Sequence, residues 1–171
     1  MTGYVALLRA VNVGGTGRLT MKALSELCVE LGFRNVRTYI QSGNVIFESN
    51  LPETAIRKSF EEALMGKLGL KTEVILRTAE ELEAVLNENP FPRVEAFKVG
   101  VFFQSNPMDD GHFFDNPSGT EEIRMGRREV YIHFPMGMGL SKLRLPTRGG
   151  TMRNMNTVSK LADMAGKSQE D

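Results

Sequence analysis

Two rhythms of apolar and polar positions alternate along this chain. Tyr4 to Val11 is a short apolar run rich in strand formers, closed by the glycine-rich Asn12–Gly17; it predicts a buried strand leading into a loop. The spacing then changes to that of a helix, with Met21, Leu24, Leu27, Cys28 and Leu31 on one stripe. Thr20 stands as its N-cap and Gly32 as its stop. Val36–Gln41 and Val45–Ser49 read as strands joined at Ser42-Gly43-Asn44, residues that tolerate a tight turn. Leu51-Pro52-Glu53 opens a second helix on Ile56, Phe60, Ala63, Leu64 and Leu68, with proline in the first turn, where its missing N–H costs nothing. Glu73–Leu76 reads as a fourth strand. The order strand-helix-strand-strand-helix-strand is that of the ferredoxin-like unit, two helices on one face of an antiparallel sheet.

Thr78-Ala79-Glu80-Glu81 is a capping box and starts a third helix on Leu82, Val85 and Leu86. Asn89-Pro90-Phe91-Pro92 ends it and divides the chain into 1–89 and 90–171, two halves expected to share one compact body. In the second half Ala96–Gln104 reads as a strand and Met108–Phe114 as a short helix or loop. Glu121–Met125 and Glu129–Phe134 form a hairpin around Gly126-Arg127. Laid without gaps on Ile123–Tyr131, Tyr39–Phe47 matches in pattern and not in residues; internal duplication and a shared hairpin grammar explain this equally well. After the connection Pro135–Gly139, Asn154 or Asn156 caps a last helix on Val158, Leu161, Ala162 and Ala165. The expected fold class is α/β (α+β): a ferredoxin-like βαββαβ first half with a related, looser α/β second half.

The length of 171 residues is enough for a sizeable core, and a 41% hydrophobic, 25% charged composition is that of an ordinary globular chain. There is no run of about 18 apolar residues, and Met1-Thr2-Gly3-Tyr4 is unlike a secretory leader. The expectation is a cytoplasmic protein with no membrane partner. The single Cys28 cannot form an internal disulfide, and its place on the apolar stripe predicts packing over reactivity. The formal charge is zero, yet residues 51–120 are net acidic and 121–167 net basic, which either hints at an anionic partner for the later part or is incidental.

Three polar segments carry whatever chemistry the chain has. In the first, Asn12, Gly14 and Gly15 lie where a strand passes into a helix, the place where free backbone N–H groups gather anions. The segment matches neither nucleotide-binding glycine fingerprint, and a long turn is its plain alternative. The second holds Ser42 and Asn44. The third is Thr151–Thr157, in which Arg153 offers a planar donor fork beside Asn154, Asn156 and Thr157, with Lys160 one turn on. Arg9, a charge in an apolar strand, requires solvent or an internal ion pair. His112 and His133 have no metal spacing with Cys28. Glu80, Glu81 and Glu83 suit a helix start without any catalytic part. The strand Asn44–Glu48 lacks the stacking aromatics of an RNA-recognition module.

At these same segments the chain resembles an uncharacterised bacterial family, domain of unknown function 1697. Tyr4–Gly15 looks like the family's opening, Tyr39–Phe47 like its hairpin, and Arg153–Val158 with Lys160 and Leu161 like its closing motif. The family usually has an aromatic where Met155 stands; methionine can replace it if that residue only fills core. The resemblance spans about residues 4–165. It implies a small cytoplasmic α/β protein and brings no activity with it.

The function expected is non-catalytic binding of an anionic ligand, a phosphorylated metabolite, a nucleotide or nucleic-acid backbone. Asn12, Gly14, Gly15, Ser42, Asn44, Arg153, Asn154, Asn156, Thr157 and Lys160 would form the site. No cofactor, metal or catalytic residue is expected, and homo-oligomerisation is left open. The alternatives are an enzyme on a small phosphorylated or carbonyl substrate, and an interaction module on an open sheet face carrying Arg37, Tyr39, Ile46, Ile75 and Arg77.

Overall fold

The structure, a computed structural model, describes residues 1–9, 20–39, 43–106, 119–146 and 149–170. The chain forms two compact units: Met1–Glu81 with Leu161–Asp171 (unit 1), and Leu82–Lys160 (unit 2). The proline-rich Asn89–Pro92 predicts a division after residue 89. The contacts instead group most of the third helix with unit 2 and the end of the last helix with unit 1.

Unit 1 runs β1 (Thr2–Leu8), α1 (Met21–Glu30), β2 (Arg34–Tyr39), β3 (Asn44–Ser49), α2 (Glu53–Leu68), β4 (Val74–Thr78). Its sheet order is β2-β3-β1-β4 with every neighbouring pair antiparallel, the ferredoxin-like arrangement expected from the sequence. Strand alternation sends Tyr4, Ala6, Leu8, Val45, Phe47, Val74 and Leu76 into one core with the apolar stripes of α1 and α2. Phe33 stacks on Phe47 at 4.2 Å between centroids, and Phe60 meets Phe47 edge-on at 6.5 Å. The helix ends agree with the sequence. Thr20 Oγ1 accepts from the Ala23 N–H at 3.0 Å, and Gly32 takes a φ of 86° beyond α1. At the end of α2, Gly69 adopts φ 66°, and the Gly69 and Leu70 N–H groups return to Met65 and Leu64 carbonyls. The fourth strand lies slightly later than Glu73–Leu76, at Val74–Thr78.

The capping box at the β4–α3 junction is reciprocal. The Thr78 N–H donates to Glu81 Oε1 at 2.9 Å, and the Glu81 N–H donates to Thr78 Oγ1 at 3.1 Å. It opens α3 (Ala79–Asn87). Unit 2 then holds β5 (Val99–Gln104), β6 (Glu122–Met125), β7 (Glu129–His133) and β8 (Gly150–Asn154), followed by α4 (Met155–Glu170). Ala96–Lys98, expected as strand, is a 3₁₀ turn; a second such turn at Met138–Leu140 lies in the connection after β7. The segment Met108–Phe114 lies outside the described residues.

Unit 2 repeats the sheet of unit 1: its order β6-β7-β5-β8 is the same permutation, again antiparallel throughout. The hydrogen bonds at the strand ends coincide as well. Leu8 N–H donates to Gly43 O and Arg9 N–H to Glu73 O in unit 1; Gln104 N–H donates to Arg128 O and Ser105 N–H to Gly149 O in unit 2. These anchors align Gly43 with Arg128 and Asn44 with Glu129. The gapless hairpin comparison is therefore one residue out of register in its second strand and three in its first. The reason is local: Gly126 N–H closes on Glu129 O at 2.7 Å around a tight Arg127-Arg128 turn, while unit 1 has a longer turn between Tyr39 and Asn44. The two units diverge after their third strand. Unit 1 supplies α2; unit 2 supplies an irregular segment from which Met138, Leu143 and Leu145 pack on Phe102, Val130, Ile132 and Phe134.

Candidate functional site

The end of β1, which leads toward the first polar segment, lies beside Gly43 and Asn44 of the second at one end of the unit 1 sheet. Leu7 pairs with Asn44, and the Leu8 N–H donates to Gly43 O at 2.9 Å, so the exit of β1 lies against the β2–β3 turn. Gly43 has φ 76°, and a Cβ there would stand 3.0 Å from Leu8 Cβ, so glycine is required both for conformation and for approach. On the other side, the Arg9 N–H donates to Glu73 O and Thr72 Oγ1 donates to Arg9 O, both at the start of β4. Asn12, Gly14, Gly15 and Ser42 lie outside the described residues. Asn44 is fully buried, and its Nδ2 donates to Tyr39 O at 3.0 Å, which closes the hairpin mouth.

The third segment is built otherwise than its sequence suggests. Gly150–Asn154 is the strand β8, paired with β5, where the polarity of Thr151 and Arg153 predicts a loop leading into a helix. Arg153 stands opposite Val101 and is buried. Its Nη1 donates to Thr151 Oγ1 and to Met152 O, each at 2.9 Å, and burial lowers its pKa to about 10. Asn154 is the cap of α4: its Oδ1 accepts from the Thr157 N–H at 2.9 Å. Met155 is buried, so a methionine here fills core. Asn156 and Lys160 are exposed and share one face of the first turns of α4, with Thr157 half-buried beside them.

One relationship was not read from the sequence. Arg77 of β4 stands opposite Val5, the position that Arg153 takes opposite Val101; it is fully buried, and its Nη1 likewise donates to the carbonyl before it, Leu76 O at 2.8 Å. Each arginine precedes a capping residue, Thr78 or Asn154, and then a helix. The signal was present as an arginine directly before a cap residue at both junctions.

Other groups serve the framework. Cys28 is buried and its thiol is pushed up to about 12 by desolvation. Tyr4 and Tyr131 are raised above the usual phenol range, chiefly by burial; their hydroxyls donate to Leu51 O and Val85 O, each at 2.9 Å. His133 turns away from the Val130/Ile132/Phe134 core, with Nδ1 3.7 Å from Glu122 Oε1 and its ring 5.5 Å from Phe91. His112 lies outside the described residues. The sheet face proposed for an interaction module is not open: Ile46, Ile75 and Arg77 are fully buried, and Arg37 Nη2 donates to Met164 O at 3.0 Å. Among the described residues no cluster of His, Cys, Asp and Glu could hold a metal, and no helix is long and apolar enough to cross a membrane.

Two sheets of one ferredoxin-like strand order, each with a buried arginine in its last strand and a capped helix after it, define an α+β protein with a repeated sheet topology. The chain belongs to the family described as "Protein of unknown function (DUF1697)", whose model matches residues 1–131; the closing segment from Thr151 lies beyond that match. The conserved bacterial protein SP0830 from Streptococcus pneumoniae shares the fold. It is 23% identical, with a TM-score of 0.77, and the alignment covers 96% of this chain and 98% of that one. No curated protein is significantly similar to the chain.

Proposed function

We propose that the protein binds an anionic ligand without transforming it, and that the ligand is a phosphorylated metabolite, a nucleotide or a stretch of nucleic-acid backbone. The observation that supports this reading is the hydrogen bond from Leu8 N–H to Gly43 O, with the Leu7–Asn44 pair beside it. It sets the end of β1, from which the chain continues toward Asn12-Val13-Gly14-Gly15, beside Gly43 and Asn44, which follow Ser42. Glycine N–H groups and short Ser and Asn side chains at such a place suit phosphate oxygens. Asn156, Thr157 and Lys160 supply a second set of polar groups at the start of α4. Asn44, Arg153 and Asn154, already engaged by the protein's own atoms, hold these surfaces in place rather than lead the contact.

The test is a thermal-shift panel of nucleotides, sugar phosphates and short single-stranded RNA and DNA, run on wild type, Asn12→Ala with Ser42→Ala, and Asn156→Ala with Lys160→Ala. A ligand at one hundred times its dissociation constant adds about 2.7 kcal/mol, a rise of roughly 5–10 °C for a chain of this size. A shift that either paired variant abolishes while keeping its own unfolding transition locates the site. Absence of any shift across the panel removes the reading.

A further inference from the structure

The repeated topology exposes a difference between the units that opens a cavity in unit 2. Arg124 pairs with Tyr131 as Arg37 pairs with Ile46, and the strand-end anchors make the two arginines equivalent. In unit 1, Arg37 Nη2 is met by the carbonyl of Met164, well inside the long helix α4. Counted from the caps Asn154 and Thr78, the place of Met164 in α4 is that of Glu88 in α3. But α3 ends at Asn87 and Pro90 comes soon after, so the turns that α4 continues to Glu170 have no counterpart. A groove of about 380 Å³ opens there, lined by Glu88, Pro90, Arg124, Met125, Arg127 and Tyr131, with the Gly126 backbone between the arginines.

We propose that this groove is a binding site for a small organophosphate of mononucleotide size. Its volume lies within the range of small-molecule pockets, and its chemistry is divided as such a ligand requires. Arg124 and Arg127 offer two guanidinium forks for a phosphate head. Pro90 and Met125 offer apolar wall for a flat body. Arg124 is already positioned: Nη1 donates to Ile123 O at 3.0 Å, and the guanidinium carbon lies 5.9 Å from the Phe91 ring centre. The present partners of the arginines are Glu122 for Arg124, at 3.3 Å, and Glu88 for Arg127, at 2.9 Å. Both pairs are well exposed, and exposed pairs contribute little, so a dianionic phosphate can displace the carboxylates. This site is independent of the loops at the end of the unit 1 sheet.

The experiment titrates adenosine 5′-monophosphate, inorganic phosphate and adenosine into the intact protein and monitors the arginine Nε–Hε resonances by NMR. The variants are Arg124→Gln with Arg127→Gln, and Met125→Glu, which adds a repelling charge at an exposed position while removing no fork. The site predicts saturable shifts of the Arg124 and Arg127 signals with the nucleotide and weaker ones with either half. Both variants should weaken binding at least tenfold. No saturable shift at millimolar nucleotide, or an affinity untouched by both groove variants, overturns the assignment.

Discussion

Arg77 and Arg153 hold one position twice: each faces the middle of its unit's first strand, Val5 or Val101, and each folds its guanidinium onto the carbonyl behind it. A buried arginine fills volume with its stem and hydrogen-bonds with its fork, so truncation removes packing and leaves acceptors without a donor. Arg77→Ala and Arg153→Ala should each lower stability by about 2–5 kcal/mol in urea denaturation, with lysine rescuing little because it lacks the planar fork. Asn156→Ala, at an exposed position, should stay within about 0.5 kcal/mol of wild type. An unchanged urea midpoint for Arg153→Ala would show the arginine to be dispensable to the fold. The same reasoning explains why an alanine at Arg153 is a poor probe of ligand binding.

The helix after each arginine depends on its cap. Thr78 takes part in two hydrogen bonds of a reciprocal box, whereas Asn154 accepts one. Alanine at either position should cost about 1 kcal/mol, a fall of roughly 2–4 °C in Tm. Thr78→Ala and Glu81→Ala should not add fully, since each removes the same box. Full additivity in a double-mutant cycle would contradict the reciprocal geometry.

Unit 1 was legible because each of its signals is local and they agree. Apolar stripes at Leu24/Leu27/Cys28 and Ile56/Phe60/Leu64, the Thr20 cap, the positive-φ glycines 32 and 69, and the Ser42-Gly43-Asn44 turn all point to one strand order. The strand β8 was not legible. Thr151 and Arg153 are buried although polar, so no apolar alternation marks it as a strand. The repeat was only half visible, since the turns differ in length by two residues and no gapless alignment can match both strands of the hairpins. Ala96–Lys98 was absorbed into the adjoining strand because an apolar run does not show where pairing begins. Of the candidate site, the approach of the end of β1 to Gly43 and Asn44 depends on the hairpin and β1 lying side by side, which sequence alone could not supply. The burial of Arg153 and Asn44 was equally hidden, since their residue types suggest surface.

Gly150 is fixed by space. A Cβ there would collide with Phe103 O and lie 2.6 Å from the Phe102 ring, atoms of the neighbouring strand that cannot withdraw without breaking the β5–β8 ladder. Gly149, by contrast, has φ 82° and nothing within 4 Å of a built Cβ. Gly150→Ala should therefore cost about 3 kcal/mol or more and reduce soluble yield, while Gly149→Ala should cost about 1 kcal/mol from backbone strain alone. Equal stability of the two variants in a thermal melt would mean that β8 is not seated as described.

Cys28 supplies a dependence on pH whose sign is fixed by its burial. The thiol is raised from 9.0 to about 12 in the folded chain, because desolvation penalises the thiolate. Below pH 9 the folded and unfolded chains both hold the proton, and the group contributes no slope. Above pH 9 the unfolded chain releases it and the folded chain does not, so stability falls as pH rises towards 12. The loss from this one group reaches about 1.4 kcal/mol by pH 10, where the raised phenols of Tyr4 and Tyr131 add a smaller loss of the same sign. Cys28→Ala should remove that slope while lowering stability at pH 8 by about 1 kcal/mol for the lost packing. At pH 8 the native thiol should also resist a thiol-specific disulfide reagent and react stoichiometrically once guanidinium unfolds the chain. Rapid labelling of the native protein, or a slope between pH 9 and 10 that is as steep in Cys28→Ala as in wild type, would show that the thiol is not sealed in the core of unit 1.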